Sequence, residues 1–169
     1  MTQIWNMGSW TAQLSVPIPV PLVLKKNGTP DAQALGRSRG GFSTKIHVLV
    51  DGLGNPLRMR LTAGQCHDSP HAAVLLEGLT FERVIADRGY AGQPVIDVVL
   101  ASGAEVVIPP HPRATEQRDY DRWWYRERHL VECFFNKIKH FRRVFSRFDK
   151  LAHRYLGFIQ FTSVLIWLR

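Results

Sequence analysis

From residue 43 onward the chain shifts between two hydrophobic periods. Lys45–Val50 alternates and is rich in β-branched residues, and Leu57–Thr62 alternates again, with Leu57, Met59 and Leu61 set against Arg58, Arg60 and Thr62. A period of two is that of a strand with one covered face. Asp51-Gly52 and Gly54-Asn55-Pro56 supply a tight turn between the two runs, which together predict a β-hairpin. Ser69-Pro70 reads as an N-cap followed by proline at the first helical position, and Ala72, Leu75, Leu76 and Leu79 then recur at helical spacing. Arg83–Ala86 is a short apolar run that predicts a buried strand with Asp87 at its exit. Gln93–Ala101 predicts a helix stopped at Gly103, and Ala104–Ile108 a second buried strand ahead of Pro109-Pro110. The order is β-β-α-β-α-β, an α/β pattern.

Further on, one long helix is expected from about Arg122 to Phe145. On its wheel Leu130, Phe134, Ile138, Phe141 and Phe145 share a narrow apolar face, while Tyr125, Arg128, Glu132 and Lys139 share another arc well away from it. Lys150–Leu168 predicts a last apolar helix packed on the phenylalanine stripe. Residues 1–42 carry no sustained period. Prolines 17, 19 and 21 interrupt the apolar run Leu14–Leu24, and Asn27–Gly41 holds four glycines among polar residues. Residues 1–27 are therefore expected to be a poorly folded segment ahead of one domain over 28–169.

Composition narrows the class. At 45% hydrophobic and 21% charged, 169 residues make one ordinary globular domain. Cys66 and Cys133 stand alone, outside any metal-ligand spacing, and exclude a disulfide scaffold. They are expected to be buried or incidental thiols. No stretch reaches the ~20 apolar residues that span a bilayer, so a soluble intracellular protein with no membrane partner is expected. The net charge of +8 is unevenly placed. Residues 1–112 carry nine basic and eight acidic groups, residues 113–169 thirteen and six. Such a basic third suits a polyanion, nucleic acid first, since each cation on a phosphate releases condensed counterions. A basic soluble surface or an anionic membrane surface remains the alternative.

Two carboxylates stand out by context, Asp87 at a strand exit and Glu132 on a helix flanked by cations. Strand mouths of α/β sheets gather ligands because helices cover the faces. Asp87 could equally be a turn residue before Gly89, and Glu132 with Arg128 a solvated i,i+4 pair worth about 0.3–0.5 kcal/mol. Trp123 and Trp124 could stack on unpaired bases, with packing expected for at least one. Lys137, Arg142, Arg143 and Arg147 could add phosphate affinity or form a solvated face. Arg37 and Arg39 could grip backbone or lie in an exposed loop.

The spacing of Tyr125, Arg128, Glu132 and Lys139 satisfies Y-x(2)-R-x(3)-E-x(6)-K, and Asp87-Arg88-Gly89-Tyr90 sits at the strand exit. With Gly36-Arg37-Ser38-Arg39-Gly40-Gly41-Phe42-Ser43-Thr44-Lys45, the block from Thr62-Ala63-Gly64 to His67-Asp68, and the closing Ile166-Trp167-Leu168-Arg169, the chain resembles DDE transposases, and among them bacterial insertion-sequence transposases of family five. The resemblance implies an RNase H-like mixed sheet flanked by helices, in which three carboxylates hold two Mg²⁺ ions, with Mn²⁺ able to replace them. It also implies nicking and strand transfer at insertion-sequence ends, in a bacterial cytoplasm at the nucleoid. The partners would be double-stranded DNA, as terminal inverted repeats and as target, and a homo-oligomer formed on it. By resemblance Asp87 and Glu132 are the second and third carboxylates and hold metal. Arg128 and Lys139 contact phosphates near the scissile bond or balance the acidic cluster, and Tyr125 positions DNA. Arg37, Arg39, Arg88, Lys137, Arg142 and Arg143 are candidate DNA contacts.

The family's first carboxylate should lie upstream of the glycine-rich block, in a strand like M-D-S-T-A-V-R-A-H. This chain has no Asp or Glu before Asp31. Asp31 does not match that motif, and Asp51 sits in the hairpin turn. The first strand is therefore expected to be missing or corrupted. Back-translating Trp10–Ile18 and starting each codon on the previous codon's third base permits Asp-Ser-Thr-Ala-Val-Arg-Ala-His. Lys25-Lys26-Asn27 calls for A-rich codons, where a reading frame can slip. The expectation is an enzyme completed by frame fusion, or a decayed copy inactive alone. The alternatives are a non-catalytic DNA-binding regulator derived from a transposase and another RNase H-like nuclease such as a junction resolvase.

Overall fold

The hairpin predicted from the period-two pattern is the centre of the computed structural model, which describes residues 8–10, 14–17, 33–38, 41–115 and 117–168, and at 8–10, 14–17, 37, 38 and 41 the backbone alone. Strand β4, Gly41–Asp51, pairs antiparallel with β5, Pro56–Ala63, from Thr44↔Ala63 to Val50↔Pro56, with a bulge at Leu49/Val50. At the turn the Asp51 carboxylate accepts from the amides of Leu53 and Asn55, both at 2.9 Å, and Gly54 takes the left-handed backbone at φ +81. Asp51 is a turn residue, as its context suggested.

The segment without a period contributes strands all the same. Gly8–Trp10 (β1) and Leu14–Pro17 (β2) pair antiparallel with β4, and Gly36–Ser38 (β3) forms a short hairpin with its start. Strand addition to an open edge uses main-chain hydrogen bonds and needs no side-chain alternation, so the pattern could not announce it. The expected boundary at residues 27–28 lies outside the described residues.

Beyond the hairpin come α1, Ser69–Leu76, β6, Arg83–Ile85, α2, Gln93–Ala101, and β7, Glu105–Val107. Strands β6 and β7 pair in parallel, as the crossover through α2 requires, and β1 packs beside β6. Alternation along β4 splits the core. Ile46, Val48 and Val50 face Phe134, Ile138 and Ile159 on one side, while Leu49 joins the apolar faces of α1, α2, β6 and β7 on the other. The result is a five-stranded antiparallel sheet and a separate two-stranded parallel one, with helices packed on both sides of β4, rather than the single mixed sheet expected, and consistent with an RNase H-like domain.

The expected single helix over 122–145 is broken. It comprises α3, Arg122–Tyr125, a 3-10 turn over Arg126–Arg128, α4, His129–Lys139, and, after a break, α5, Arg142–Phe145. Phe141 is extended, at φ −88 and ψ 108, and its carbonyl accepts from the amides of Val144 and Phe145 to start α5. The wheel phase is lost at that point. Phe134 and Ile138 are buried, Leu130 and Phe141 only in part, and Phe145 is exposed while Val144 turns inward. The last helix, α6, Ala152–Trp167, packs against α4 and α5 and is tied to β5 by Trp167 Nε1 donating to Pro56 O at 3.1 Å.

Candidate active site

Two regions distant in sequence meet at the exit of β6. Asp87 has extended backbone, and a 3-10 turn over Arg88–Tyr90 follows at once. Across from it the 3-10 turn and first turn of α4 present Arg128 and Glu132. Arg128 Nη1 lies 3.3 Å from Asp87 Oδ1 and Nη2 lies 2.7 Å from Glu132 Oε1, so one guanidinium bridges both carboxylates. The Tyr125 hydroxyl donates to Asp87 Oδ1 over 3.4 Å. Burial first, then the Asp87 charge, raises the pKa of that phenol, which stays protonated and able to donate. The carboxylates remain reachable, with side-chain exposures of 39% for Asp87 and 52% for Glu132.

Local sequence explains the placement. The Asp121 side chain caps α3, accepting from the amides of Trp123 at 2.7 Å and Trp124 at 3.1 Å. Arg83, at the start of β6, lies over the Trp124 ring at 3.6 Å from its centroid and pairs with Glu105 on β7. These contacts dock α3 on the parallel strands, and helical spacing then carries Tyr125, Arg128 and Glu132 along one face towards Asp87. Trp124 is thereby a packing residue. Trp123 stands edge-on to it and is 60% exposed.

The other predicted residues fall elsewhere. Lys139 is half-buried at the end of α4, two turns beyond Glu132. Arg88 is exposed on the turn after Asp87 and lines a cleft of about 270 Å³ with Asp68, Asp87, Gly89, Tyr90 and Tyr125. Lys137 is exposed beside a second hollow with His140, Phe141 and Ile166. Arg142 and Arg143 are exposed, their guanidinium carbons 5.8 Å and 4.7 Å from the ring centroids of Phe148 and Phe158. Arg37 has its backbone in β3, paired with Phe42, while its side chain and all of Arg39 lie outside the described residues. Arg147 lies on neither the phosphate-facing surface nor the solvated face that the sequence allowed. It is 1% exposed, and main-chain carbonyls take up its donors. Cys133 is exposed rather than buried.

Among the described residues the cluster supplies two candidate metal ligands. Asp87 and Glu132 offer hard, accessible oxygen donors of the kind Mg²⁺ takes. Among the described residues, however, no group of three His, Cys, Asp or Glu side chains is gathered to hold an ion. Sequence reasoning also assigned no role to Lys45, His47, Thr62, Asp68 and Tyr90, which cluster beside Asp87 and the turn after it. Lys45 Nζ pairs with Asp68 Oδ1 at 3.0 Å. His47 joins Tyr90 OH through Nδ1 at 2.9 Å and Thr62 Oγ1 through Nε2 at 2.8 Å. Their signal was present in the Ser43–Lys45 and Thr62–Asp68 blocks, without anything to say that the blocks meet.

Comparison with known proteins decides the family. Residues 17–165 match the model of the transposase DDE domain. The chain belongs to the DDE transposase family. A protein of Brucella ovis named "Putative transposase for insertion sequence element IS6501" is 37% identical over 130 residues, 76% of this chain and 100% of that protein. No solved structure matches. The match to this DDE domain starts upstream of residue 28, where the resemblance was expected to begin. No helix among the described residues of the transposase domain is long and apolar enough to cross a membrane.

Proposed function

We propose that this transposase domain carries the cleavage and strand-transfer site for insertion-sequence ends, with Asp87 and Glu132 as two of its three metal-holding carboxylates. The observation that carries the reading is the convergence of Asp87 and Glu132 on Arg128 from separate elements. Asp87 and Glu132 would hold divalent ions, which when bound would supply positive charge to an attacking and a leaving oxygen in phosphoryl transfer. The chain's own groups do the rest. Arg128 offsets the repulsion between the carboxylates and offers a planar donor to a phosphate entering between them. Tyr125 donates to Asp87 and fixes the direction of its free oxygen. Arg88, at the cleft, and Lys139, Lys137, Arg142 and Arg143, along the basic third, track the DNA backbone, with Arg37 and Arg39 as further contacts.

The third carboxylate is the one the reading frame withholds. In the shifted frame Asp falls at about residues 10–11, at the end of β1. That strand packs beside β6, the 126–128 turn and α4, the elements that carry Asp87, Arg128 and Glu132, which supports the assignment. The chain as written, with Trp10 and Thr11 at that point, binds DNA and cuts it poorly. The incomplete ligand set among the described residues favours a second reading for this form, a DNA-binding regulator of the element.

The test is to incubate duplexes bearing the ends of the chain's own element with Mg²⁺ or Mn²⁺, using this chain and a frame-restored protein. The restored protein is expected to nick at the element end and join the freed 3′-hydroxyl to target DNA. Asp87→Ala or Glu132→Ala in it should return cleavage to the level without added metal, with fold and DNA affinity kept. Near-full cleavage by either variant would sink the site assignment. Equal cutting by the two wild-type forms would sink the frame argument.

A further inference from the structure

Three stretches of chain meet beside Asp87 and grip the turn that follows it. At one point Tyr90, buried, hydrogen-bonds His47, which in turn holds Thr62 on β5. At the other, the Asp68 carboxylate lies so near Gly89 that a Cβ there would come 3.1 Å from Oδ2, tight enough that the carboxylate would have to give way by a few tenths of an ångström. Asp68 is held by Lys45, which also donates to Cys66 O at 2.7 Å. Asp68 occupies the N-cap position of α1, yet its side chain makes no capping bond. Its carboxylate is turned sideways, towards β4 and the Asp87 turn. The pair is also no solvated surface bridge, since each side chain is 10% exposed. Buried pairs are expensive to desolvate and often no better for stability than apolar replacements, so stability alone is a weak account of this one.

We propose that the Lys45–Asp68 pair is a positioning device for Asp87. It fixes the Gly89 backbone from below while the Tyr90–His47 bond fixes the other end of the turn, and so sets the direction in which the Asp87 carboxylate enters the cleft. The inference rests on the reading of Asp87 as a metal-holding residue. In metal sites the groups that orient a ligand are worth about 10–100-fold in metal affinity.

Replacing Asp68 alone would leave Lys45 charged without its carboxylate, so the test neutralises both, as Lys45→Met with Asp68→Asn. A second variant, Gly89→Ala, presses a methyl against Asp68 while leaving both charges in place. Both variants are made in the frame-restored protein, and each is loaded with Fe²⁺ and treated with ascorbate and peroxide, so that radicals formed at the ion cut the nearby backbone, and the fragments are mapped by mass. Melting temperature and duplex affinity are followed alongside. The unsubstituted frame-restored protein, the wild type of this comparison, should be cut at Asp87–Tyr90. Both variants should need about tenfold more Fe²⁺ or more for half-maximal cutting at that turn, in excess of any loss of folded protein and with duplex affinity unchanged. Cutting like wild type in both variants overturns the proposal, as does an Fe²⁺ requirement that rises only in step with unfolding. If the turn of the unsubstituted frame-restored protein is not cut, the metal reading of Asp87 falls and this proposal with it. A cut wild type with unchanged variants leaves that reading standing and removes this one alone.

Discussion

His47 is buried between β5 and the Asp87 turn, with both ring nitrogens hydrogen-bonded to hydroxyls. Burial brings its pKa down to about 4; the Asp68 charge opposes that shift, and His71, Lys45 and Arg60 add to it. Neutral imidazole has one donor and one acceptor, and Tyr90 and Thr62 can each play the complementary part, so the uncharged ring is fully satisfied. The sign of the linkage follows. The unfolded chain binds a proton near pH 6.5 and the folded one only near 4, so His47 contributes stability in full above about pH 6.5 and loses it as pH falls towards 4. Between pH 7 and pH 5 the loss from this residue should be about 2 kcal/mol. His71, 5.5 Å away, is also lowered, by burial first and then Arg60, and adds in the same direction. Denaturant unfolding at the two pH values checks this, with His47→Gln as control. A Gln variant that loses as much stability on acidification as wild type would exclude His47 as the source.

At the scale of elements, the junction between α5 and α6 depends on one side chain. Arg147 donates through Nε to Asp149 O at 2.8 Å, through Nη2 to Gln33 O at 2.6 Å and Lys150 O at 2.9 Å, and through Nη1 to Ala34 O at 3.2 Å and to Thr44 Oγ1. Its guanidinium carbon lies 5.2 Å from the Tyr155 ring centroid. This ties the segment before β3, the start of β4 and the approach to α6 into one knot. Lysine has three donors and no planar fork, so Arg147→Lys should leave carbonyls unpaired and cost about 2–4 kcal/mol, seen as a lower midpoint in denaturant. A change under about 0.5 kcal/mol, the size expected of an unremarkable surface site, would show that the knot is dispensable. Arg147 also marks where the sequence stops being legible. It looked like its exposed basic neighbours, because the carbonyls that surround it come from distant main chain, which has no side-chain signature. Phe141 fitted the helical stripe, but the helix breaks there and Val144 turns inward instead, its carbonyl accepting from Tyr155 OH at 2.7 Å. The hairpin, β6, α2 and β7 were readable because period, turn residues and Gly103 all agreed. Helical spacing likewise put Tyr125, Arg128 and Glu132 on one face. That this face meets Asp87 is a tertiary fact. Asp68 was hidden for the opposite reason, since Ser69-Pro70 offered a local cap beside it.

Over the whole molecule the charge is segregated. Residues 113–169 hold most of the excess of cations, and with Arg147 buried and Arg128 placed between the two site carboxylates, the exposed surplus away from the site lies on Lys137, Arg142, Arg143 and their neighbours around the end of α4 and on α5. Arg142 and Arg143 rest beside Phe148 and Phe158, contacts that orient the guanidinium groups while leaving them exposed. A surface of this kind reads phosphates rather than bases, so its contribution should be the same for any duplex. Binding should weaken steeply with salt, by a slope of roughly 0.9 per phosphate neutralised. Arg142→Gln with Arg143→Gln should therefore lower affinity for element-end and unrelated duplexes by equal factors. It should also flatten the plot of log affinity against log salt by about 2, one for each lost contact. Fluorescence anisotropy with labelled duplexes between about 50 and 200 mM salt measures both quantities. An unchanged slope would place these arginines off the DNA path. A loss confined to element-end DNA would mean that they read sequence or shape, and the basic third would then be a recognition surface instead of a general backbone track.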